Sequence, residues 1–140
     1  MAVFFETSAG VKPHRLRKNA LKQWIAAVAA SHGKQVGEVS YRFCSDEEIL
    51  QVNNQYLNHD YYTDIITFDY TEGEVVSGDI FISLDTVASN AELYKTDIKD
   101  ELHRVIIHGL LHLCGLKDKS AAAARKMRAA EDEALKTLQI

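Results

Sequence analysis

His108-Gly109-Leu110-Leu111-His112-Leu113-Cys114-Gly115-Leu116-Lys117-Asp118 is the stretch on which the rest of the chain turns. With Val105, Ile106 and Ile107 before it, the segment is apolar nearly all round, the pattern of a buried helix. At 3.6 residues per turn, His108 and His112 stack on one face, and two imidazoles on adjacent turns can grip one metal ion. Gly115 is the residue type that ends a helix in the left-handed conformation. The chain can then turn back, so that Asp118 supplies an oxygen as third ligand. Three protein ligands leave a coordination position open, as a catalytic site requires and a structural one does not.

A plainer alternative is a pair of core histidines satisfied by hydrogen bonds. A buried ring without a partner is costly, so something must meet both rings. The four-residue spacing, the glycine stop and the aspartate after it favour a metal. Zinc peptidases of the HExxH type place a glutamate beside the first histidine as general base. Here that position is Gly109, so any base must come from elsewhere in the fold.

Outward from this helix, the chain alternates strands and helices. Val3-Phe4-Phe5 reads as a short strand, and residues from about His14 to Ser31 as a helix with Leu21, Trp24, Ile25 and Val28 inside. Glu38 to Phe43 alternates like a strand, and Ser45-Asp46-Glu47-Glu48 is a capping box opening a second helix. Asp64 to Phe68 and Gly78 to Ser83 are two further strands, joined by a turn at Glu72-Gly73. Asp85 or Thr86 caps a helix through Leu93, Thr96 or Asp97 opens the histidine helix, and Ser120 caps an alanine-rich last helix. The order strand, helix, strand, helix, strand implies two crossovers and three parallel strands, with the fourth antiparallel through a hairpin. The expected class is α+β: a mixed four-stranded sheet, three strands parallel and one antiparallel, packed with about five helices. The histidine helix, a metal helix of zincin type, should be the most enclosed.

The 140 residues fit one domain, residues 1–140. No apolar run reaches membrane-spanning length, and Met1 to Phe5 is followed at once by Glu6, unlike a signal peptide. A cytoplasmic protein without membrane partners is expected. Cys44 and Cys114 are far apart and read as buried thiols; Cys114 points away from the histidine face. The net charge of −4 does not suggest a general nucleic-acid binder, and DNA is not expected as a partner. Lys12, His14, Arg15, Arg17, Lys18 and Lys22 form the one basic cluster, either a solvated helix face or a phosphate-contact surface.

Several blocks together resemble the YbeY family, bacterial metal-dependent endoribonucleases of ribosomal RNA maturation. The carriers are His108-Gly109-x-Leu111-His112-Leu113-x-Gly115, Asn54-x-Tyr56, Asp60-x-x-Thr63-Asp64-Ile65-Ile66-Thr67-Phe68, Gly78-Asp79-Ile80-Phe81-Ile82-Ser83, and Met127 with Glu131. Order and spacing match from about residue 40 to the C-terminus. The resemblance implies one metal ion, usually zinc, on three side chains, and a cleft that takes RNA. It also implies a single-strand-specific endoribonuclease whose partners are ribosomal RNA or small-subunit components. Two positions depart from the family pattern. The family usually has a third histidine where this chain has Asp118, an oxygen ligand that leaves zinc or another divalent transition metal open. It commonly has a phosphate-gripping arginine where this chain has Leu57, with Arg42 and Lys117 as possible substitutes.

Asp64 and Asp79 are candidates to orient a ligand histidine or accept a proton; each could equally cap a strand end. Tyr61 and Tyr62 could stack on bases or pack over the sheet edge. Met127 could lie under the metal or in the core. His103, like His14, His32 and His59, reads as a surface residue. Four functions compete: an RNA hydrolase, a non-catalytic metal-containing ribosome assembly factor, a peptidase, which Gly109 disfavours, and an iron oxygenase of the two-histidine, one-carboxylate kind.

Overall fold

A computed structural model describes residues 1–8, 10–11, 16–57 and 64–139, with the side chain of Leu57 outside the description. In chain order the elements are β1 (Ala2–Thr7), α1 (Lys18–Ser31), β2 (Gln35–Cys44), α2 (Asp46–Leu57), β3 (Ile65–Asp69), β4 (Val75–Ser83), α3 (Leu84–Leu93), α4 (Ile98–Leu113) and α5 (Ala121–Thr137). The strands form one sheet in the order β1-β2-β4-β3. β1, β2 and β4 are parallel, and β3 runs antiparallel to β4.

The balance of three parallel strands and one antiparallel is as expected, but the antiparallel strand is the third and not the fourth. The segment after α2 does not return beside β2; β4 does, and β3 pairs outside it. Val76, Ile80 and Ile82 of β4 join the main core on one face, while Phe81 packs into a smaller cluster on the other. A strand with apolar residues on both faces belongs inside a sheet. β3 has five residues and suits an edge, where short strands limit unwanted pairing.

Capping residues account for where the helices begin. Ser45 Oγ accepts a hydrogen bond from the Glu48 amide at 3.3 Å. The return half of that box is replaced, since the Glu48 carboxylate accepts from Arg42 Nε at 2.9 Å. Asp97 and Ser120 cap α4 and α5. α3 begins earlier than its sequence suggested: Ser83, the last residue of β4, accepts from the Thr86 amide at 3.2 Å.

α1 and α4 cover one face of the sheet, and α2 lies across the other, with Ile49 against Cys44 and Ile66. α4 is the most enclosed helix, with nine of its 16 residues buried. Two glycines let it approach the strands closely. A Cβ on Gly109 would stand 3.0 Å from Ile65 Cδ1 and from two carbons of Ile80, and one on Gly78 would stand 2.9 Å from Leu113 Cδ2. His103 is not a surface residue. It is buried, with its ring edge-on to Trp24 at a centroid distance of 6.3 Å. The direction away from the His108 face meets α1, not solvent. Burial holds the His103 pKa below its ordinary value, and Lys99 adds to that shift. His32 is exposed, and His14 and His59 lie outside the described residues.

Candidate metal centre

The end of α4 folds back through a Schellman turn. The Gly115 amide donates to the His112 carbonyl at 3.0 Å and the Leu116 amide to the Leu111 carbonyl at 3.1 Å, with Gly115 at φ 101°. This reversal places two groups on the histidine face. The Leu116 carbonyl oxygen stands 3.0 Å from His112 Nδ1. Asp118 Oδ2 stands 3.3 Å from His112 Nε2 and 3.4 Å from His108 Nε2, and the two Nε2 atoms are 3.0 Å apart. Donors about 2.0–2.2 Å from one tetrahedral zinc ion would stand roughly 3.3–3.6 Å apart, so the triangle has nearly that size.

Tautomers decide what this triangle needs. A carbonyl oxygen can only accept, so His112 Nδ1 carries the hydrogen. On the other ring, His108 Nδ1 stands 2.7 Å from Oε2 of Glu131, a carboxylate that also accepts from Arg104 Nη1 at 2.8 Å. His108 Nδ1 therefore donates as well. Both neutral rings then turn an Nε2 lone pair toward the other and toward Asp118. With both rings neutral, three acceptors meet with no donor among them, and a cation, whether a metal ion or a proton on His108, resolves the conflict. His108, His112 and Asp118 form the one set of three such side chains that could hold an ion among the described residues.

The surrounding charges act in the same sense. Burial opposes a charge on His108, but the Glu131 hydrogen bond and the charges of Glu131, Asp118 and Asp64 outweigh it and raise its pKa. Burial also disfavours the Glu131 carboxylate, yet His108 and Arg104 hold its pKa below the ordinary value. The triangle opens on a cleft of about 650 Å³ lined also by Asp64, Ile65, Thr67, Asp69, Lys117 and Lys119. Three protein donors leave a fourth position facing this cleft.

The other sequence candidates separate. Asp64, at the entrance to β3, lines the cleft, and its backbone carbonyl accepts from the Ser83 amide at 2.9 Å. Asp79 is on the sheet face of Phe81, opposite α4, and does not line the cleft. Arg42 is also remote from it, paired with Glu6 and Glu48. Lys117 is on the cleft wall, and Lys119, which the sequence reading passed over, is beside it. Lys18 and Lys22 of α1 do not line it. Met127 belongs to the main core. Lys12, His14, Arg15, Tyr61 and Tyr62 lie outside the described residues, as does the Leu57 side chain. Glu131 is the site residue whose role the sequence did not give. Its one signal is its place four residues after Met127, a carboxylate on the buried stripe of a helix.

A family model described as Endoribonuclease YbeY matches residues 6–139. The chain belongs to the YbeY family. Endoribonuclease YbeY of Bacteroides thetaiotaomicron is 58% identical over 135 residues, covering 96% of this chain and 98% of its own. Its namesake in Porphyromonas gingivalis strain ATCC 33277 is 59% identical over 130 residues, 93% of this chain and 86% of its own. A solution structure of a Thermotoga maritima protein superposes with a TM-score of 0.66 at 29% identity, covering 96% of this chain and 89% of that one. The YbeY family is metal-dependent, in keeping with the donor triangle on α4. No described helix is long and apolar enough to cross a membrane.

Proposed function

We propose that this YbeY protein is a zinc-dependent endoribonuclease, folded as one domain, that cuts single-stranded segments of ribosomal RNA in the cytoplasm during ribosome maturation. The observation that carries the reading is the triangle of His108, His112 and Asp118, three acceptors within 3.4 Å of one another at the wall of an open cleft. An ion held there would supply Lewis acidity toward a phosphate oxygen and would lower the pKa of a water so that hydroxide is available at neutral pH. The chain's own residues do the rest. Leu116 and Glu131 hold the two rings with Nε2 toward the cleft. Asp64, on the same wall, accepts the proton that the attacking water gives up. Lys117 and Lys119 flank the triangle and receive phosphate oxygens, the task an arginine at position 57 would otherwise share.

One observation favours a second reading, a metal-containing ribosome assembly factor that cuts nothing. The cleft wall carries Asp64, Asp69 and Asp118 beside its two lysines, a balance unlike a strong polyanion site. The two readings part in one experiment. Purified protein is incubated with a folded RNA containing single-stranded loops, with chelator, and with zinc restored. Zinc-dependent cleavage that His112→Ala loses supports the nuclease. RNA binding without cleavage at any zinc level leaves the assembly role.

A further inference from the structure

Arg104, His108 and His112 follow one another at four-residue intervals, so the three form a single stripe along α4. The histidines face the cleft; the arginine faces α5. There it meets two consecutive carboxylates, with Nη1 2.8 Å from Glu131 Oε1 and Nη2 2.7 Å from Asp132 Oδ1. Glu131 divides its two oxygens, Oε1 to Arg104 and Oε2 to His108 Nδ1 at 2.7 Å. Its side chain is 7% exposed, so water has little access to replace either partner.

We infer that Arg104 is a positioning residue for the metal centre, acting through Glu131 on His108. This rests on the proposed reading of His108, His112 and Asp118 as metal ligands. A carboxylate bonded at one oxygen only can turn about its last side-chain torsion. With Arg104 on Oε1, the Glu131 plane is fixed and Oε2 stays in line with Nδ1 of His108. That fixes the hydrogen on Nδ1 and leaves the Nε2 lone pair for the cation. The planar guanidinium spans both carboxylates at once, which a lysine ammonium cannot do with the same rigidity. Asp132, half-exposed, holds the guanidinium from the other side. An ion pair serving only to dock α5 on α4 would matter for stability and leave the His108 ring as it is.

The test uses Arg104→Gln, Arg104→Lys and His112→Ala in the full chain. Zinc affinity is read by competition with a chromophoric chelator, and the His108 tautomer by long-range nitrogen–proton NMR of the metal-free protein. Circular dichroism reports folding. Arg104→Gln should weaken zinc binding about 10–100-fold and turn a single Nδ1–H form of His108 into a mixture. Arg104→Lys should be folded and fall between Arg104→Gln and wild type. If Arg104→Gln does not fold, Arg104→Lys decides alone. A folded Arg104→Lys with wild-type affinity and one His108 tautomer overturns the inference. Zinc binding undiminished in His112→Ala instead overturns the metal reading, and the tautomer of the metal-free variants still judges the action of Arg104 on His108.

Discussion

His112 Nδ1 and the carbonyl oxygen of Leu116 are 3.0 Å apart, so the helix terminus itself sets the tautomer of a metal-facing histidine. The turn that brings Leu116 there depends on Gly115 at φ 101°, a conformation that side-chain-bearing residues avoid. A Cβ at Gly115 would meet nothing within 4 Å, so the cost of Gly115→Ala is backbone strain and not crowding. That variant should lose about 1–2 kcal/mol of stability in chemical denaturation. Its zinc affinity should fall too, because Leu116 and Asp118 both lie beyond the strained residue. Unchanged affinity in a destabilised Gly115→Ala would separate the turn from the site.

His112→Ala should abolish zinc binding and leave the domain folded. The donors span residues 108 to 118, whereas the main core draws on β1, β2, β4, α1, α3, α4 and α5. Circular dichroism of an unfolded variant would point to a structural metal instead.

Gly109→Ala should cost about 1–3 kcal/mol, because three carbon atoms at 3.0 Å must give way. Gly109→Glu should cost more and confer no peptidase activity. Its side chain would be driven against Ile65 and Ile80, into the packing of α4 on the sheet. Denaturant titration and a casein assay check the two statements.

Burial pushes the Cys44 thiol up to about 12 and the Cys114 thiol up to about 11. Both should resist alkylation at pH 8 in the folded protein and react on unfolding. The linkage has a definite sign. A thiol with a raised folded pKa binds its proton more tightly when folded, so its stabilisation is intact below the unfolded value near 9 and declines as pH rises through about 11 to 12. Denaturation midpoints measured across that window should fall with pH.

If Lys117 and Lys119 each contact one phosphate, replacing both by alanine should flatten the dependence of log affinity on log salt by about 1.4, roughly 0.7 for each contact on a single strand. The measurement is a salt titration of binding to a single-stranded RNA. An unaltered slope would place the phosphate contacts elsewhere.

Much of this was legible in the sequence because it is local. The donors come from one helix and the turn that ends it, and helical spacing, a glycine and an aspartate are signals within eleven residues of sequence. The cap at Ser120 is local in the same way. Glu131 was not legible as His108's partner, because that contact crosses 23 residues and depends on how α5 docks. His103 was misplaced because helical angles tell which way a side chain points but not whether another helix stands there. The exchange of β3 and β4 follows from the same gap: a hairpin can be seen in a sequence, but which arm joins the sheet interior depends on cover for both faces.

Trp24 of α1 donates its indole hydrogen to the Ala134 carbonyl of α5 at 2.8 Å, a contact between residues 110 positions apart. At a synthesis rate of about 5–20 residues per second, that partner emerges roughly 5–20 s after the tryptophan. α5 also carries Glu131 and Asp132, so the same late segment closes the core over α1 and sets the His108 ring. The strands and the donor helix are all made before it. A nascent chain can thus form its sheet while His108 still lacks its partner, and cleavage competence should arise only once the final helix has docked.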